Sequence, residues 1–216
     1  MIFGKIEYLN LLPFHVFMKR FTKNAQQKAT MEYKKNVPAA VNKDFIHKRV
    51  DAAFISSIAA KKYHHVNLGI IAKKNVQSVL VIPSKKSKRD KESASSNILA
   101  TILDAKGTVL IGDKALKYAL ANDNYIDLAQ AWHTKYKIPF VFALLCYHKE
   151  KKVYKKIERE FLKRKQKIPH YLLAKAAKRT GIATKDIQNY LELISYRVDA
   201  KAELGLKKFY NEAKKV

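Results

Sequence analysis

Ile2, Ile6 and Tyr8 alternate with smaller or charged residues, the period of a half-buried strand. Asn10 and Pro13 then mark a turn that opens a helix over residues 14–21. A second strand is predicted over 30–33. Pro38 starts a helix whose apolar positions Val41, Phe45 and Ile46 share a face; proline is tolerated there because a first-turn N–H has no helical partner. Residues 50–55 read as a buried strand followed at once by Ser56 and Ser57, which places two hydroxyls where a helix begins. Strands follow at 66–71 and 77–82, the latter closed by Pro83. The run SKKSKRDKESASSN (84–97) has no large apolar residue and reads as a linker or exposed loop that crosses to a second domain. Beyond it come a helix over 97–103 capped by Ser95 or Ser96, and a strand and turn over 108–113 leading into a helix at 115–121. A further helix over 128–136 carries Trp132 on its apolar face, and 138–145 is the longest apolar strand. From Lys151 onward the pattern predicts helices alone: 151–165, 169–179 ending near Gly181, one opened by Thr184 and running through Ile194, and 199–213. Strands and helices alternate early and helices dominate late, so the class is α/β.

Composition changes one part of that picture. The 216 residues, 48% of them hydrophobic, fill one large domain or two small ones, but 44 Lys+Arg against 18 Asp+Glu give a formal charge of +26. Such a surface attracts polyanions and small acidic ligands. The cations are spread in short groups such as Lys34-Lys35, Lys73-Lys74 and Lys151-Lys152 rather than gathered on one segment, so a solvated surface is expected and no specific nucleic acid partner. The single cysteine, Cys146, lies in an apolar run and fits a reducing compartment. With no run approaching the ~18 apolar residues of a bilayer span and no leader-like opening, the expectation is a cytoplasmic protein with no membrane partner.

Candidate chemistry is sparse. Asn10, at the end of a strand, offers one acceptor and two donors, and either binds a ligand there or only turns the chain. His15, beside Phe14 and Phe17, is a candidate base or a packed ring. His64 and His65 are adjacent and so point apart, with no second ligand pair at metal-site spacing; no metal is expected. Asp113 follows a strand-ending glycine and reads as a helix cap or an acid. Glu92 falls in the charged loop and reads as solvated. No glycine-rich phosphate cradle or dinucleotide fingerprint is present, so no nucleotide cofactor is expected.

Taken together, YLNLLPF (8–14), DAAFISSIAA (51–60), SVLVIPS (78–84), KESASSN (91–97), VLIGDKAL (109–116), DLAQAWHTKYKIPFVFA (127–143) and the tail GLKKFY (205–210) resemble the chorismate dehydratase family of menaquinone biosynthesis by the futalosine route. The resemblance implies a two-lobed fold of the type II periplasmic-binding-protein kind, with a hinged cleft and C-terminal helices. Lobe one would be 1–83 plus 141–216, lobe two 84–140, and the strands at 78–82 and 140–145 would form the hinge; the stretch from Ile82 to Val109 looks shortened against the family. It also implies loss of water from chorismate, with no cofactor. On that fold Asn10 is the catalytic candidate, and Ser56, Ser57, Ser78, Ser95, Ser96, Gly112 and Asp113 are the substrate-binding ones. Two alternatives remain: a sister enzyme making 1,4-dihydroxy-6-naphthoate, which would want a histidine base, and a non-catalytic binder of small carboxylates.

Overall fold

A computed structural model describes residues 1–22 and 32–216. Nine strands form two sheets among these residues. The larger contains β1 (Ile2–Lys5), β2 (Glu32–Lys35), β3 (Ala52–Ser56), β4 (His65–Ala72), β8 (Phe140–Tyr147) and β9 (Ile194–Arg197) in the order β2-β1-β3-β8-β4-β9. Its first three strands are parallel, and β8 runs antiparallel to both β3 and β4. The smaller sheet is antiparallel, with β5 (Val79–Pro83) between β6 (Gly107–Ile111) and β7 (Ile126–Asp127). The helices are α1 (Leu12–Phe21), α2 (Pro38–Ile46), α3 (Ser57–Ala60), α4 (Ala94–Ile102), α5 (Gly112–Ala121), α6 (Leu128–Tyr136), α7 (Lys151–Leu162), α8 (His170–Thr180), α9 (Thr184–Glu192) and α10 (Ala200–Glu212).

The alternation at the N-terminus becomes β1, a short 3-10 turn over Leu9–Leu11 and then α1, which enters through Pro13 in its first turn. The near-continuous apolar runs of β3 and β8 are explained by their central place in the sheet, where helices cover both faces. Phe14 is the hub on one face, with its ring 4.9 Å from Phe54 and 5.4 Å from Phe161. Trp132, Phe140 and Phe209 form a second aromatic cluster where α6 and α10 meet β8. Gly205 permits that meeting, because a Cβ there would lie 2.1 Å from the Pro139 carbonyl oxygen.

Four expectations are revised. The strand placed over 30–33 is Glu32–Lys35; residues 30 and 31 lie outside the described residues. Helices do not account for everything after Lys151: Ile194–Arg197 leaves α9 to become the edge strand β9, paired with β4. The α4 helix begins at Ala94 rather than at 97. Its cap is Ser93, whose Oγ accepts the Ser96 N–H at 3.2 Å, so Ser95 and Ser96 lie inside the first turn.

The fourth concerns β5, which the resemblance places at the end of the first lobe. It is instead the middle strand of the small sheet, and the backbone passes between sheets over 73–78 and 137–139. The first passage is short and sequence-silent because one carboxylate satisfies it. Asp127 Oδ2 accepts the Val76 and Gln77 N–H groups at 2.8 and 2.7 Å, while its Oδ1 caps α6 through Ala129 and Gln130. The polar run that resembled a crossing is a loop within the small-sheet unit, pinned where Lys88 bridges Thr108.

Candidate active site

The cavity between the two sheets is lined by groups from eight separate stretches of chain. It encloses about 660 Å³ of non-protein space, solvent included. The turn after β1 supplies Tyr8 and Asn10; β3 ends there at Ser56; β8 contributes Phe142 and Ala143. From the small-sheet side come Ser78 before β5, then Glu92, Ser93 and Ser96 at the start of α4, and Gly112 at the start of α5. Phe142 and Ala143 lie inside β8, while the polar residues sit in turns, at strand ends or in the first turn of a helix, the side of an α/β sheet where ligands gather.

Asn10 is set by its neighbours. Its backbone oxygen accepts the Tyr196 O–H at 2.7 Å, fixing the turn from β9, while its side-chain oxygen is buried without a hydrogen-bond partner among the described residues. A shielded, unpaired acceptor in a cavity is costly to leave so, and a ligand donor offsets that cost.

Three serines share a feature that follows from their partners. Asn42 Nδ2 donates to Ser56 Oγ at 3.0 Å, Tyr190 O–H donates to Ser78 Oγ at 2.9 Å, and Ser93 O–H donates to Ser96 Oγ at 2.7 Å. Each hydroxyl therefore has an acceptor site engaged by protein, and its own proton is left to donate. Ser78 and Ser96 are buried. The arrangement offers several O–H donors without a lysine or arginine in the cavity lining among the described residues.

Ser57, Ser95 and Asp113 do not line the cavity; they hold its walls together. Ser95 Oγ accepts the Ile58 N–H at 3.1 Å and lies 3.0 Å from Ser57 Oγ, joining α4 of the small-sheet unit to α3 of the large-sheet unit. Asp113 Oδ1 accepts the Leu9 N–H at 2.9 Å, and its Oδ2 pairs with Arg179 at 2.9 Å. Burial pushes the Asp113 carboxyl up from the ordinary carboxylate value, against the opposing pull of the Leu9 N–H and the guanidinium. Of the residues singled out by sequence, Asn10, Ser56, Ser78, Ser96 and Gly112 meet at the cavity.

Gly112 adopts φ +70° and would place a Cβ 2.6 Å from the Tyr8 ring, so the close approach of the two walls at this point requires glycine. The Tyr8 phenol in turn donates to Glu92 Oε2. Burial, then the Glu92 hydrogen bond and the surrounding carboxylates, push that phenol well above its ordinary value, so it stays protonated. Glu92 is thus half-buried and cavity-lining, not the solvated loop residue its charged surroundings predict.

His15 does not line the cavity. Its Nε2 lies 2.8 Å from the Ile6 carbonyl oxygen, its Nδ1 is buried without a partner among the described residues, and burial lowers its pKa to about 4. It is a neutral packed ring. Cys146 is buried in β8, with its thiol pushed far up by desolvation. No cluster of three potential metal ligands exists among the described residues.

Sequence reading missed Tyr8, Asn42, Glu92, Tyr190 and Tyr196. Tyr8 and Glu92 lie inside conspicuous motifs, YLNLLPF and KESASSN, and are legible there once the motifs are taken whole. Asn42, Tyr190 and Tyr196 act from helices or an edge strand and carry no local signal.

Comparison with known proteins gives the fold and the family. Among solved structures, an Archaeoglobus fulgidus protein superposes with a TM-score of 0.67 at 12% identity, covering 99% of this chain and 96% of its own. The periplasmic aliphatic sulphonate binding protein of Escherichia coli does so with a TM-score of 0.60 at 14% identity, over 100% of this chain and 86% of its own. The fold is therefore that of the periplasmic binding proteins. A curated chorismate dehydratase from Campylobacter jejuni subsp. jejuni serotype O:23/36 (strain 81-176) is 47% identical over 218 residues, 99% of this chain and 98% of that one. A family model described as menaquinone biosynthesis matches residues 1–106 and 89–215, and on these grounds the chain belongs to the menaquinone biosynthesis family.

Proposed function

We propose that this protein is a chorismate dehydratase, a hydro-lyase that converts chorismate to 3-[(1-carboxyvinyl)oxy]benzoate and water. The observation that carries the reading is the donor and acceptor set of the cavity. Ser56, Ser78 and Ser96 present O–H donors, and Asn10 Oδ1 is a buried acceptor without a partner. Chorismate brings two carboxylates to accept from the serines and a hydroxyl-bearing ring edge to set against Asn10. The end-to-end likeness to a chorismate dehydratase supports the same reading.

The chemistry asked of the protein is modest, because the product ring is aromatic. A proton leaves the ring carbon bearing the enolpyruvyl ether, its bonding pair becomes the new ring double bond, and the C–O bond to the neighbouring hydroxyl breaks. We assign the proton to the substrate's own enolpyruvyl carboxylate, which passes it to the departing hydroxide, so that one water leaves and nothing accumulates. The protein then positions the ring and stabilises developing charge: Asn10 at the reacting edge, the serines on the carboxylates. This division of labour is supported by a lining that holds no histidine or aspartate among the described residues, and whose one carboxylate, Glu92, is already engaged by the Tyr8 O–H.

In this proposal the small-sheet unit, about residues 77–139, is the lobe that closes over substrate, and residues 1–76 with 140–216 form the other. The setting is the cytoplasm and the route is that of futalosine. No helix is long and apolar enough to cross a membrane among the described residues. His15, turned away from the cavity, lends no support to the dihydroxynaphthoate-forming alternative. The decisive experiment mixes purified protein with chorismate, without added metal or nucleotide, and follows the aromatic product by chromatography and absorbance. Appearance of 3-[(1-carboxyvinyl)oxy]benzoate above the no-protein rate establishes the activity; saturable binding without product would make the protein a carboxylate binder instead.

A further inference from the structure

Glu92 is the only charged side chain lining the cavity among the described residues, and it is an anion in a site that must take a dianion. Charge alone disfavours that placement, so the carboxylate has to return something specific. Its surroundings show what is left to give. Oε2 accepts the Tyr8 O–H, and Lys114 stands on the other side, 3.9 Å from Oε1 and 3.1 Å from Asp90 Oδ2. A carboxylate offers about four lone-pair positions, so after these partners it keeps acceptor capacity toward the cavity.

We propose that Glu92 is a specificity residue: its carboxylate accepts the ring hydroxyl of the substrate and thereby selects hydroxylated ring dicarboxylates over their dehydrated, aromatic counterparts. The proposal rests on the dehydratase reading above for the identity of the two ligands. Chorismate has one hydroxyl donor and its product has none. While the hydroxyl is present, the hydrogen bond to a charged acceptor outweighs the repulsion between Glu92 and the substrate carboxylates. Once the C–O bond breaks, the donor is gone and the repulsion remains, so the same residue disfavours the product and favours its release. Specificity built from a repulsive group in this way discriminates between ligands of nearly equal shape. Tyr8 acts through Glu92 as a positioning residue, holding the carboxylate at the wall where Gly112 lets the two sheet units approach.

The test is Glu92→Gln, which keeps shape but adds an N–H donor and removes the charge. Equilibrium binding of 3-[(1-carboxyvinyl)oxy]benzoate, by titration calorimetry, and the KM for chorismate are measured on wild type and variant. The expected result is product binding tightened by about tenfold or more, with the chorismate KM raised by about threefold or more because the charged acceptor of the ring hydroxyl is lost. Product affinity that stays put, or two constants that move together, overturns the proposal. Lys114→Met serves as the second variant, since it removes the outer partner of Glu92 without touching the cavity. Both constants should remain near wild type; the same tenfold tightening there would show that loop position, not the cavity carboxylate, sets the ratio, and would overturn the assignment. Wild-type protein that binds these ligands but yields no product would sink the dehydratase reading, while the binding ratio would still report on Glu92.

Discussion

The Tyr196 hydroxyl donates to the backbone oxygen of Asn10 at 2.7 Å, across 186 positions of sequence, so the edge strand β9 sets the height of the candidate catalytic turn. Tyr196→Phe keeps the ring against Phe161 and deletes only that bond. A half-buried carbonyl loses its partner, which costs about 1–2 kcal/mol of stability. We expect a lower unfolding midpoint in urea and a kcat for chorismate reduced about tenfold, with KM altered far less, because the turn is displaced rather than the carboxylate contacts.

Asn10 itself gives a sharper contrast. Its side-chain oxygen is unpaired in the free protein, so Asn10→Ala removes a buried polar group without orphaning another side chain. Stability should hold or rise slightly, while turnover should fall by about a hundredfold or more if the amide stabilises charge in the transition state. Binding of chorismate, measured by calorimetry, should weaken much less. Unchanged turnover in this variant would remove Asn10 from the mechanism.

Ser95 and Ser57 carry a different kind of role. Ser95 Oγ accepts the Ile58 N–H and touches Ser57 Oγ, both serines being buried, so they fasten the two sheet units together just outside the cavity. Ser95→Ala leaves the Ile58 N–H without its acceptor and should cost about 1–3 kcal/mol. The kinetic signature should be a raised KM, since closure over substrate is weakened, with kcat less affected. Ser57→Ala combined with Ser95→Ala should cost less than the sum of the two singles, as expected of residues sharing one hydrogen bond.

The features legible in the sequence are those fixed by local chemistry. Alternation gave β1, apolar runs gave β3 and β8, Pro13 and Pro38 marked helix starts, and Gly181 marked a helix end with its positive φ. Asn10, Ser56, Ser78, Ser96 and Gly112 stand at such local boundaries, and the family resemblance picked them out there as site candidates. What stayed hidden depends on distant partners. Ile194 read as the end of a helix and residues 195–197 gave no strand signal, because nothing nearby shows that β4 has an open edge to pair. The polar loop looked like the passage between lobes because the true passage is satisfied by Asp127, some fifty residues downstream. Glu92 looked solvated because its burial comes from Tyr8, on the other sheet unit. Long-range hydrogen bonds of this kind leave no periodic trace.

His15 supplies a prediction about pH. Desolvation lowers its pKa from 6.5 to about 4, because both ring nitrogens are shielded and only the Ile6 carbonyl oxygen is in reach of Nε2. The unfolded chain protonates near the ordinary histidine value, so between pH 6.5 and about 4 the unfolded state binds more protons than the folded one. Stability then falls as pH falls through that window, and the full contribution is present above it. The loss from this one group is on the order of 3 kcal/mol at the acid end. Urea unfolding of the wild type from pH 7.5 down to pH 4 should show this slope superimposed on that of the carboxylates. His15→Gln keeps an amide N–H for the Ile6 carbonyl and cannot titrate, so its stability should decline less steeply over the same range. Parallel slopes for the two proteins would mean that His15 takes up a proton as readily folded as unfolded, and that the pocket around it admits water.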